Sequence, residues 1–77
     1  MRKPKWQEIG DQIVDRYDGR MFFNLKEVSR ITGYGRNIIA RKLYEAGILV
    51  KTEGRDKRIS AYEIGTLMAT GRIAAVD

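Results

Sequence analysis

Apolar residues recur at helical spacing in four stretches of the chain. Trp6, Ile9, Ile13 and Tyr17 step by three and four, with Val14 beside them. Leu25, Val28 and Ile31 do the same, as do Ile39, Leu43 and Ala46, and then Ile64, Leu67 and Met68. A stripe of that period lies along one side of an α-helix, so each stretch predicts a helix with one buried face. Three short runs between them, Arg20–Phe23, Ile48–Val50 and Lys57–Ser60, lack the period and predict extended segments. Glu53-Gly54-Arg55-Asp56 stands between the last two, which are therefore expected to form a hairpin about a glycine turn. A lone two-stranded hairpin is marginal in water and must dock on the helices. Ile48, Val50 and Ile59 are available to dock it. Arg20–Phe23 is expected to add a third strand or to staple the helix that follows.

Start and stop signals bound the helices. Asn24 with Glu27 makes a capping-box-like pair, in which a side-chain oxygen and a carboxylate satisfy orphan amides of the first turn; Gly33 closes that helix. The next begins after Gly35 and stops at Gly47. Ser60-Ala61-Tyr62-Glu63 is a full S-x-x-E box opening the last helix, which Gly71 ends. The first helix is expected over residues 6–18, with Pro4 at or before its start. Two glycines count against helices here: Gly10, at about 1 kcal/mol relative to Ala, and Gly65. Trp6 and Tyr17 are expected to enlarge a thin core, with dimerisation through the first helix as the alternative, and Phe22 and Phe23 to be core. Ile73 and Val76 in the tail have either the body or a second copy to pack on.

These elements make one α+β, mainly helical domain over residues 1–77: a support helix at 6–18, a core at 22–70 and a tail at 71–77. Helix, glycine turn, helix and two short strands, in that order, outline a winged helix-turn-helix with a two-stranded wing sheet, three-stranded if Arg20–Phe23 joins it. In the turn Gly33-Tyr34-Gly35, the glycines permit positive φ and a tight crossing. Tyr34 is expected to pack between the helices rather than reach a phosphate through its hydroxyl. This G-x-G lacks the preceding buried strand and the third glycine of a dinucleotide fingerprint.

Composition narrows the chemistry. Of 77 residues none is cysteine or histidine, which removes disulfides, thiolate metal sites, the commonest metal ligand and the usual general base near neutral pH. The acids Asp11, Glu45, Glu53, Asp56 and Glu63 form no paired-carboxylate pattern, so no enzyme, metal or cofactor is expected. No apolar run approaches a membrane span and no signal-peptide core is present, so a cytoplasmic protein without membrane contact is the expectation. Net charge is +5, placed unevenly. From Met1 to Phe23, five basic residues nearly balance four acidic ones. From Tyr34 to Arg58, seven basic residues face Glu45, Glu53 and Asp56, a surplus of four. A polyanion partner follows from phosphate electrostatics, the alternative being ordinary solubility charge.

The surplus has a pattern. On the 36–46 helix, Arg36, Asn37, Ala40, Arg41 and Tyr44 occupy the face that Ile39, Leu43 and Ala46 do not. Arg pairs bidentately with guanine, Asn with adenine, and an Ala methyl lies against thymine; Arg36 and Asn37 stand in the first turn, where a recognition helix touches base edges. Lys51, Arg55, Lys57 and Arg58 surround the expected hairpin tip, where a wing meets backbone or minor groove. The expected partner is double-stranded DNA. A protein-interaction adaptor whose helix face docks an acidic partner is the reading from another class.

The order of elements, the residues Gly33-x-Gly35-Arg36-Asn37, then Gly47 and Gly54-Arg55-x-x-Arg58, resemble the excisionase group of MerR-like winged helices over about residues 22–70. Members of that group are small DNA-binding proteins of phages and mobile elements. The resemblance implies a sequence-specific, DNA-bending architectural protein acting as a recombination directionality factor, with an integrase or recombinase and further copies of itself as partners. A small phage-type transcriptional regulator is the alternative. Two features depart from the family: the Gly33 to Gly47 spacing is slightly long, and the long C-terminal helix of ligand-sensing MerR regulators is missing.

Overall fold

The computed structural model describes residues 2–49 and 57–74. The chain runs α1 (Lys5–Arg16), β1 (Phe22–Phe23), α2 (Leu25–Thr32), α3 (Arg36–Glu45), β2 (Ile59–Ser60) and α4 (Ala61–Ala69), a mainly helical α+β arrangement with a two-stranded antiparallel sheet. Helix α1 starts after Pro4 and ends sooner than its apolar stripe, because the chain reverses through Asp18 (φ 56°) and Gly19 (φ 88°). Both capping boxes form. Glu27 N–H donates to Asn24 Oδ1 at 2.9 Å while Asn24 N–H donates to Glu27 Oε1 at 3.0 Å, and Ser60 N–H donates to Glu63 Oε1 at 2.9 Å. Gly33 closes α2 in the left-handed conformation, φ 78°.

The sheet differs from the expected hairpin. Strand β2 pairs with β1, Phe22 opposite Ser60 and Phe23 opposite Ile59, and Ala61 N–H extends the ladder to Met21 O at 2.8 Å. Ile48 and Leu49 are not in a strand, because their amides donate to Leu43 O at 2.9 and 3.2 Å and are spent closing α3. Val50 and the turn 53–56 lie outside the described residues, as does Val76. The core comprises Phe23 from β1, Val28 and Ile31 from α2, Ile39 and Leu43 from α3, Ile59 from β2, and Ile64 and Leu67 from α4. Phe23 is fully buried and Phe22 56% exposed, since successive strand residues point to opposite faces; the expectation that both are core holds for one. Ile73 is buried, so that tail residue packs on the body.

Helix α1 lies along α4 in the most extensive contact between elements, and glycines set its closeness. A Cβ on Gly65 would strike the Trp6 carbonyl oxygen and stand 3.0 Å from Gly10 N. A Cβ on Gly10 would meet the Tyr62 ring, 2.7 Å from Cε1. What looks like a propensity penalty at each glycine is the condition for two helix backbones to meet. Trp6 is 41% exposed and lies edge-on to Tyr62 with ring centroids 6.1 Å apart, so it roofs this contact instead of filling the core. Tyr17 is half-buried against Phe23 at 5.5 Å. Tyr62 donates its hydroxyl to Asp11 Oδ1 at 2.6 Å, and Lys3 Nζ reaches Asp11 Oδ2 at 2.8 Å. These two bonds hold the Asp11 carboxyl below the usual carboxylate range, and the bond to Asp11 pushes the Tyr62 hydroxyl up.

Candidate nucleic-acid interface

Helices α2 and α3 meet across Gly33-Tyr34-Gly35, and Tyr34 ties three parts of the fold together. Ser29 Oγ donates to Tyr34 O at 2.6 Å, and Tyr34 N–H donates to Thr32 Oγ1 at 3.4 Å, fixing the turn to α2. The Tyr34 hydroxyl accepts from Ala74 N–H at 3.0 Å. From α3, Lys42 Nζ lies 5.5 Å above the Tyr34 ring and donates to Arg72 O at 3.2 Å. Tyr34 therefore packs, as its sequence context suggests. Lys42 counts toward the basic surplus of α3, yet its ammonium is committed to the chain's own C-terminal segment.

This locked turn brings the first turn of α3 against the start of α2. Between them runs a groove of about 470 Å³ lined by Asn24, Leu25, Lys26, Arg36, Asn37 and Ala40. Three of the five residues assigned to base reading, Arg36, Asn37 and Ala40, thus share one concavity with Lys26. Arg41 and Tyr44 are exposed but lie outside its lining, further along the helix. Among the described residues, none is a hydrogen-bond or ion-pair partner of Lys26, Arg36, Asn37 or Arg41. Helix α3 has Gly35 at its N-cap, so no side chain there caps its first amides.

Glu27 follows the groove residue Lys26 in α2, and its carboxylate is engaged. Arg20 pairs with Glu27, donates to Phe22 O at 3.5 Å and lies 5.2 Å over the Phe23 ring. The Arg20 guanidinium and the Asn24 amide hold the Glu27 carboxyl below its ordinary value against the opposing effect of burial, and the charge of Arg58 adds to the same side. Of the residues assigned to a wing, Arg58 is exposed and near Glu27, and Lys57 is half-buried. Lys51 and Arg55 lie outside the described residues. The Glu27 carboxylate is thereby ion-paired with Arg20 and accepts from the Asn24 amide.

Sequence reasoning missed two participants. Lys26 belongs to the groove because α2 and α3 cross there, which no local pattern shows. Arg20 acts through Glu27, seven residues away. Among the described residues, no acidic cluster could hold a metal ion and no helix is long and apolar enough to cross a membrane. Comparison with family models, with curated proteins and with solved structures returned no match.

Proposed function

We propose that the chain is a duplex-DNA-binding protein of winged helix-turn-helix type, with architectural action of the excisionase kind. The observation that carries the reading is the groove in which Lys26, Arg36 and Asn37 converge without partners among the described residues. Unpaired cations and an amide side chain at a helix start match what phosphates and base edges offer. Helix α3 enters a major groove through Arg36, Asn37 and Ala40, with Arg41 and Tyr44 on the flanking backbone. Lys57 and Arg58, together with Lys51 and Arg55 of the intervening segment, follow the neighbouring minor groove. The protein performs no catalysis in this reading. Several copies side by side bend the duplex for a recombinase, at a deformation cost on the order of a few kcal/mol offset by added contacts.

Binding of the purified chain to random duplex at several salt concentrations tests the core of this reading. A log–log slope equivalent to several released counterions supports it. A flat response or no binding refutes it and puts the protein-adaptor reading first. A bend measured on bound duplex then separates the architectural role from that of a simple regulator.

A further inference from the structure

Among the described residues, Phe22 is the most exposed large hydrophobic side chain, at 56%. A single exposed apolar side chain is ordinary on a protein surface, so exposure alone says little. Its placement says more. Phe22 pairs with Ser60 on the outer face of the β1–β2 ladder, while Phe23 and Ile59 are fully buried on the inner face. Arg58, exposed just before β2, stands two residues from Ser60, the pairing partner of Phe22. Arg20 donates to the Phe22 carbonyl, while its guanidinium lies over the Phe23 ring and pairs with Glu27.

The same face continues into the basic groove. Asn24 follows Phe22 by two residues in extended backbone (φ −84°, ψ 173°), a step of roughly 6–7 Å, and it lines the groove with Arg36 and Asn37. A single DNA-reading module buries roughly 600–1,000 Å² of its surface, so a duplex seated at the groove extends past the lining residues. An aromatic ring within a basic surface has no phosphate to bind. Its complement on a duplex is the apolar side of deoxyribose and the base edges behind it.

We infer that Phe22 is an apolar DNA contact at the rim of the basic groove, packing on sugar and base edges beside a backbone contact of Arg58. The inference rests on the proposed DNA-binding function. An apolar contact adds affinity but releases no counterions, and this gives it a signature distinct from an arginine's.

The experiment measures binding of the full chain and of Phe22→Ala, Phe22→Trp and Arg58→Ala to a labelled random-sequence duplex over a salt series, with a thermal melt of each. Phe22→Ala is expected to lose roughly 5- to 100-fold in affinity, as aromatic–base contacts do on truncation, at every salt concentration and with the wild-type slope. Phe22→Trp is expected to restore affinity. Arg58→Ala is expected to lower the slope by about 0.9. If the wild type binds with a steep slope and Phe22→Ala binds as tightly, the inference is overturned and the DNA-binding function stands. A reduced slope in Phe22→Ala also overturns it, because the ring would then act by placing charges. A wild type that does not bind overturns both.

Discussion

Gly65→Ala separates local from tertiary control of this fold, because the two predict opposite signs. Within a helix, Ala is favoured over Gly by about 1 kcal/mol, so α4 taken alone would be stabilised. In the folded chain the new Cβ would strike the Trp6 carbonyl oxygen and stand 3.0 Å from Gly10 N and 3.4 Å from Gly10 Cα. All three are backbone atoms, so no rotamer change relieves the clash and α1 must retreat from α4. A retreat of 0.5–1 Å forfeits a quarter to a half of each dispersion contact it opens, and overpacking of this kind costs about 1–3 kcal/mol. With no flexible side chain to absorb the clash, the upper part of that range applies, leaving a net loss of about 1–2 kcal/mol. For a domain of this size that lowers Tm by roughly 4–16 °C. Circular-dichroism melts of Gly65→Ala beside wild type read the sign. A Tm equal to or above wild type would refute the argument that backbone contact decides this position. Gly10→Ala supplies the internal comparison, since its obstacle is the Tyr62 ring, a side chain that can swing. The cost of Gly10→Ala is expected to shrink in a Tyr62→Ala background while that of Gly65→Ala largely persists, which a double-mutant cycle measures.

Arg36→Ala or Asn37→Ala is expected to cost about 1–3 kcal/mol on a selected DNA site and much less on random duplex; equal losses on both would refute base reading. Lys57→Ala is expected to weaken all sequences alike and lower the salt slope by about 0.9, so an unchanged slope would remove it from the backbone contacts. Tyr34→Phe deletes the acceptor of the Ala74 amide while keeping the ring under Lys42. Increased amide exchange in residues 72–74, with Tm nearly unchanged, is its expected result, and unchanged exchange would show that the bond holds nothing. Asp11 and Glu27 have lowered carboxyl pKa values in the folded state, so each stabilises the fold above its unfolded value and loses that contribution as pH falls through the folded one. Asp11→Asn should accordingly narrow the gap between its Tm near neutral pH and its Tm in acid, compared with wild type; an identical acid limb would show that Asp11 contributes nothing.

Much of this molecule is legible in the chain because it is local. The capping pairs Asn24/Glu27 and Ser60/Glu63 are closed within four residues, so their sequence spacing is their geometry. The stripes of α2, α3 and α4 are likewise local, and so is the phase that exposes Arg36, Asn37, Arg41 and Tyr44 opposite Ile39 and Leu43. What the tertiary structure decided depends on residues far apart in sequence. Gly10 and Gly65 look like helix weaknesses until α1 and α4 are laid together, when they become the contact itself. Phe22 and Phe23 are equivalent in a hydrophobicity pattern; pairing with residues 59–60 turns one inward and the other out. Lys42 adds to the basic count of α3 but is held by Arg72, thirty residues on. Lys26 enters the groove through the α2–α3 crossing, and Glu27 is paired with Arg20 from before β1. Local signals set which backbone conformation each segment prefers, because capping and helical phase are satisfied within a few residues. Which face is buried, which cation is left unpaired and where a glycine is indispensable are settled only when the helices pack and compete for the same space.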